Sequence, residues 1–150
     1  MRKSYWFLGH RQTILAGAAD TEGRYDLAEG WFPAGTQIPP HVHRRYSEHF
    51  YVLEGELTVW AGRRKIVLRP GDDLLIPPGT AHAFHVTGAG PWRALAVASP
   101  SGFARLVTEV GTPDDGSGVP PSAQTDMDLL RRVSAELGDE ILGPPGALPE

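Results

Sequence analysis

The segment HVHRRYSEHFYVLEG, residues 41–55, places three histidines and two glutamates beside an apolar run. Imidazole nitrogens and carboxylate oxygens are ligands for divalent transition metals. Residues two apart in a strand point to the same face, so His41 and His43 share one face and Val42 takes the other. Two imidazoles so placed can reach one ion. Residues 44–47 leave room to turn into a next strand, on which Glu48, Phe50 and Val52 share a face and His49, Tyr51 and Leu53 the opposite one. A carboxylate set inward among apolar residues is costly unless it is paired or bound to metal. Further along, His82 opens a run in which Phe84 and Val86 share its face, while His85 falls on the other. His82 is therefore the candidate fourth ligand, and His49 and His85 are not.

Short runs rich in β-branched and aromatic residues surround these positions. They predict strands near residues 12–16, 24–32, 38–43, 47–54, 56–61, 65–69, 73–76, 81–86 and 92–98. The breaks have turn chemistry, with proline fixing φ and glycine supplying positive φ in Pro33-Ala34-Gly35, Pro70-Gly71-Asp72 and Pro77-Pro78-Gly79. Short strands at this spacing imply an all-β sandwich or barrel, with a jelly roll favoured over strict up-and-down order. After Pro100 the texture changes. Residues 101–111 suit a short helix or a last strand, and residues 111–124 a polar connector that could also lie over the mouth of the β unit. Residues 126–137 predict a helix with Thr125 or Asp126 as N-cap, a Leu130/Val133/Leu137 stripe and Gly138 as C-cap. The tail is not expected to be helical past Gly143. The expected division is a β unit over residues 1–103, with residues 104–150 as a loop and C-terminal helix packed on it.

The 150-residue chain suits one domain. Its net charge is −4 and its basic residues are scattered in groups too small to make a nucleic-acid stripe. Without cysteine it has no disulfide, thiolate metal site or cysteine nucleophile. The N-terminal MRKSYWFLGHRQ lacks the apolar core of a signal peptide, and no run approaches a transmembrane helix in length. The expectation is a cytoplasmic protein that binds neither nucleic acid nor membrane.

The glycines and prolines frame the candidate ligands in two motifs. Gly35, five residues, His41-x-His43, four residues, Glu48, six residues and Gly55 resemble the first cupin motif at every fixed position. Gly71, five residues, Pro77-x-Gly79, two residues and His82 resemble the second. The motifs span residues 35–55 and 71–86, separated by a short segment as in microbial single-domain cupins. One position departs from the pattern: Val86 stands where the family commonly has asparagine, which implies a more apolar wall.

The resemblance implies a conserved-barrel, double-stranded β-helix jelly roll in which His41, His43, Glu48 and His82 bind one divalent ion. Fe, Ni, Mn, Co, Cu and Zn all suit such a set, and an octahedral ion keeps two positions open. Phe50, Val52, Phe84 and Val86 are the expected substrate-binding wall, with Trp31 or Phe32 close by. The segment from Glu48 to Phe84 is similar to quercetin 2,3-dioxygenase-type bacterial cupins. That similarity implies a dioxygenase acting on an aromatic or enolic small molecule and dioxygen, with Glu48 as catalytic base. A cupin-type aromatic polyketide cyclase or other Lewis-acid enzyme is the alternative, and a cyclase would need acid–base groups for which Tyr25, Tyr46, Tyr51 and His85 are candidates. A non-catalytic small-molecule-binding cupin is a third. Cupins of this kind are commonly homodimers, and outward-facing Tyr51 and Leu53 suit an interface.

Overall fold

The computed structural model describes residues 2–149. In chain order its elements are β1 (Lys3–Phe7), β2 (His10–Ala16), α1 (Ala18–Thr21), β3 (Asp26–Phe32), β4 (Gln37–His43), β5 (Ser47–Glu54), β6 (Leu57–Ala61) and β7 (Arg64–Leu68). They continue with β8 (Asp73–Ile76), β9 (His82–Val86), β10 (Trp92–Ser99), α2 (Phe103–Val110), β11 (Thr112–Pro113), α3 (Met127–Leu137) and β12 (Asp139–Ile141). The strands form two antiparallel sheets, one ordered β11-β1-β2-β3-β10-β5-β8 and the other β12-β4-β9-β6-β7. This is the mostly-β, two-sheet arrangement of a jelly roll, open rather than closed into a barrel.

All nine expected strands form, with ends within two residues of the expected ones. Residues 101–111 resolve as the helix α2. Asp126, not Thr125, caps α3, its Oδ1 accepting from the backbone N–H groups of Asp128 and Leu129, and Gly138 ends the helix at φ +76°. β1, β11, β12 and α1 are additional to the elements predicted from the sequence. The connector after α2 starts as β11 on β1, where Asp114 accepts a hydrogen bond from Trp6 Nε1.

Alternation decides what each sheet buries. In β5, Glu48, Phe50 and Val52 are buried while His49 and Tyr51 are exposed. In β9, His82, Phe84 and Val86 are buried. Together with Phe32, Leu57, Val59 and Trp92 these apolar residues form the core between the sheets. A second cluster joins Phe7 of β1 to Leu106 and Val107 of α2 and Leu130 and Val133 of α3. The α3 stripe thus packs on α2 and β1.

Strand β4 breaks alternation in a way that matters for the site. Ile38 belongs to the core, and His41 and His43 also line the interior cavity, although an odd spacing separates Ile38 from the histidines. A register irregularity between Ile38 and His41 resolves the conflict: Ile38 pairs with Phe84, while His41 pairs with His82. One extra residue in β4 flips its parity. Pro39 and Pro40 occupy the irregular segment, where their missing N–H groups cost the ladder nothing.

Gly55 ends β5 at φ +83°. A Cβ there would lie 2.2 Å from Pro91 O. Left-handed backbone and steric contact act together, so Gly55→Ala is expected to destabilise the fold by about 2 kcal/mol or more. Urea denaturation checks this; an unchanged midpoint would show that the turn relaxes freely.

Candidate metal centre

His41 and His43 come from β4, Glu48 from β5 and His82 from the start of β9. One ligand atom from each lies within 4.8 Å of all the others. Ligands about 2.1 Å from a shared ion sit roughly 3–4 Å apart, so a small contraction would close the set. Ring centroids of His41 and His82 are 4.1 Å apart, and those of His41 and His43 4.9 Å. His49 instead pairs with Asp73 at the surface, its Nε2 lying 2.7 Å from Oδ2.

The histidines are oriented through their other nitrogens. His41 Nδ1 lies 2.8 Å from Pro39 O, His82 Nδ1 2.9 Å from Thr80 O and His43 Nδ1 2.8 Å from Asp139 Oδ1. All three partners are acceptors, so each Nδ1 is the donor. Each ring therefore turns Nε2 toward the shared centre. The Nε2 atoms of His43 and His82 are buried without a hydrogen bond. Glu48 Oε1 and Oε2 stand 3.3 Å and 3.5 Å from them, close enough for attraction without forming a hydrogen bond. Orphaned nitrogens facing a buried carboxylate are what an ion of this ligand preference would satisfy.

Electrostatics bear the same mark. Burial holds His41 well below its ordinary value, reinforced by His82 and His43. Burial also opposes charge on His43 and on Glu48, yet each overcomes it through the other. Glu48 and Asp139 raise His43 to about 10, while His43 and His82 hold Glu48 well below the carboxylate range. Without an ion, a proton on His43 balances the buried carboxylate; a cation would take its place.

Asp139 went unnoticed in the sequence. It lies on β12, directly opposite His43 in the ladder, and its Oδ2 also accepts from Tyr46 Oη at 2.8 Å. Tyr46 in turn stacks on His43 at 4.6 Å. Burial and the nearby carboxylates raise the Tyr46 phenol far above its ordinary value, so it serves as a donor. A cross-strand residue 96 positions away leaves no local signal.

A cavity opens from His41, His43 and Glu48, with His82 fully buried behind them. Phe32, Phe50 and Phe84 line it, and Phe103, Leu106 and Leu130 bound it from α2 and α3. Val52 and Val86, expected on the same wall, lie in the core at 1% and 2% exposure and do not line the cavity. Nor do Tyr25, Tyr46, Tyr51 or His85. Two polar wall residues, His10 and Gln12, were not anticipated. Both are buried on β2, and only their alternation within HRQTILA hints at inward faces.

A cupin domain family matches residues 31–98, a span that contains all four candidate ligands. Quercetin 2,3-dioxygenase of Bacillus subtilis is 31% identical over 124 residues, covering 81% of this chain and 36% of that protein. The chain thus spans about a third of the length of that relative. Among solved structures, the polyketide cyclase RemF from Streptomyces resistomycificus superposes with a TM-score of 0.55 at 27% identity, covering 62% of this chain and 66% of that one. KdgF from Halomonas sp. superposes with a TM-score of 0.58 at 23% identity, over 65% of this chain and 84% of that one, a likeness of fold alone.

Two outcomes are expected. Asp139→Ala, which frees the His43 ring, should weaken binding of Ni(II) or Mn(II) by about 10- to 100-fold in chelator competition; unchanged affinity would mean that Asp139 does not orient the ring. The second concerns His10, which burial lowers from 6.5 to about 3. Between these values the unfolded chain takes up a proton that the folded chain refuses. Stability is therefore full above pH 6.5 and falls as the pH drops toward 3, by about 1.4 kcal/mol per pH unit from this residue. His10→Phe should remove that part of the slope in urea titrations across the window. Equal slopes in both proteins would show that His10 is not held neutral.

Proposed function

This chain carries a cupin domain and belongs to the cupin superfamily, and from that premise we propose that it is a metal-dependent dioxygenase acting on an aromatic or enolic small molecule. His41, His43, Glu48 and His82 would hold one divalent transition ion. What supports the reading is the junction of three oriented imidazoles and one buried carboxylate with an aromatic-walled cavity. The ion, when bound, supplies Lewis acidity toward an enol oxygen and, if redox-competent, reactivity toward dioxygen.

The chain's own groups would do the rest. Glu48 is held ionised by His43 and His82, and its carboxylate would take the enol proton of the substrate. Phe50 and Phe84, whose rings meet edge-to-face at 5.4 Å, would hold a flat ring and keep water from the reacting end. Val52 and Val86, in the same core cluster, would back those rings. The similarity to a quercetin dioxygenase supports an oxygenase over an oxygen-independent cyclisation. The tyrosines and His85 that a cyclase could use do not line the cavity.

The test is elemental analysis of untagged protein, paired with oxygen uptake on a panel of flavonols. Stoichiometric Fe, Ni, Mn, Co or Cu, absent from His41→Ala and His82→Ala, together with flavonol-dependent oxygen uptake, is the expected result. Glu48→Gln should lower turnover by about 100-fold or more. Stoichiometric Zn with no oxygen uptake would replace the oxygenase with a Lewis-acid reaction such as cyclisation. Retained flavonol binding without turnover, in the wild type and in Glu48→Gln alike, would leave a binding protein.

A further inference from the structure

The cavity wall away from the histidine–glutamate cluster carries polar groups that the proposed chemistry does not use. His10 and Gln12 are each 3% exposed and lie two apart on β2, facing inward among aromatic residues. His10 stacks on Phe32 at 4.1 Å with the rings 7° from parallel, and meets Phe7 edge-on at 5.5 Å. Its ring position is thus fixed by packing on two sides. Gln12 Nε2 lies 3.1 Å from His10 Nδ1. Burial keeps His10 neutral, so the amide donates to Nδ1 and the ring proton sits on Nε2. No other hydrogen bond to the His10 ring is present among the described residues. Gln12 Oε1 is buried with no partner at all. Trp92, on the same wall, has a buried Nε1 in the same condition.

The backbone opposite makes space for this arrangement. Gly30 pairs with Gln12 across the β2–β3 ladder. A Cβ on Gly30 would lie 3.0 Å from Gln12 Nε2 and 2.8 Å from the Phe32 ring. The glycine therefore lets the amide lie over the strand, where any side chain would displace it. A buried amide oxygen without a donor costs free energy wherever it occurs, unless a ligand or ordered water satisfies it.

We propose that His10 and Gln12 form a second, polar subsite of this cavity that recognises a neutral hydroxyl on an aromatic ligand. The hydroxyl accepts from His10 Nε2–H and donates to Gln12 Oε1, a complementarity that a methyl or ether group lacks. Among the described residues no lysine or arginine lines the cavity, and the imidazole at this end, His10, is held neutral by burial, so a carboxylate or phosphate here is disfavoured. The substrate is then a phenol whose reacting end faces Glu48 and whose hydroxyl reaches β2. Only the placement of the reacting end rests on the proposed function.

The matched probes p-cresol and p-xylene, which differ by hydroxyl against methyl, test the subsite in the metal-loaded full chain by ligand-observed NMR titration. Wild type should bind p-cresol about tenfold more tightly than p-xylene. Gln12→Leu should abolish that preference while p-xylene binding holds or improves. A p-cresol preference that survives in Gln12→Leu would place the hydroxyl on the ion and overturn the subsite. Equal affinities in wild type, or binding of neither probe, would overturn it too, leaving Gln12 to water. A preference lost in Gln12→Leu without flavonol turnover would uphold the subsite and reject only the dioxygenase.

Discussion

An imidazole can offer one nitrogen to a metal only when the other has somewhere to put its proton. Three such rings must be satisfied at once in this interior, and much of the local architecture follows from that demand. Two acceptors are backbone carbonyls two residues before their histidines, at Pro39 and Thr80. Both belong to irregular, proline-containing segments, where a carbonyl is free of the ladder and can turn toward a side chain. His43 lies in regular strand and has no such carbonyl, so its acceptor comes from the neighbouring strand as Asp139. The turn that presents His82 is tied to the same place, because Gly79 N donates to His43 O at 2.7 Å.

The same demand explains why the C-terminal segment is integrated with the β unit. Strand β12 has only three residues, two of them acidic, and has little strand propensity of its own. It forms because β4 offers an edge, and Gly138 at φ +76° turns α3 directly into it. Arg44 N donates to Gly138 O, and Arg44 pairs with Glu140. The packed helices α2 and α3 thereby close one side of the cavity while the following strand supplies the carboxylate for His43. Asp26 anchors the other end of this segment, its Oδ2 accepting from the backbone N–H groups of Gly102 and Ala104 at the start of α2.

What the sequence made legible follows from range. Strand alternation and turn residues are local, so the nine strands, the two faces of β5 and the inward side of His82 could be read from spacing. The clustering of His41, His43, Glu48 and His82 could be read because they stand at fixed distances within two motifs. Parity in β4 could not, because alternation counted from Ile38 turns His41 outward, and only the paired strand reveals the extra residue. Asp139 lies far along the chain from His43, and His10 far from Phe32, on whose ring it stacks. Val52 and Val86 share a face with lining residues, but sit deeper in the core. Alternation gives the face, whereas depth depends on how the second sheet covers it.

The cavity that results has two chemically distinct ends. At one, charge is concentrated: Glu48 is ionised inside protein and depends on cations, whether protons on histidine or a metal ion, for its stability there. At the other, the polar groups are neutral and their cost is that of unmade hydrogen bonds. Between them stand phenylalanines that offer a flat molecule dispersion and edge-to-face contact but no direction along the cavity. Direction must therefore come from the ends. A ligand reversed in the cavity would set an apolar or neutral group against the ionised carboxylate and leave its enol facing an amide and a neutral imidazole. For the proposed substrate, the charged end would select the acidic oxygen, and the neutral end the hydroxyl that stays protonated. Orientation of such a substrate would then rest on the difference in acidity between two oxygens of one molecule, a property that the aromatic wall alone cannot read.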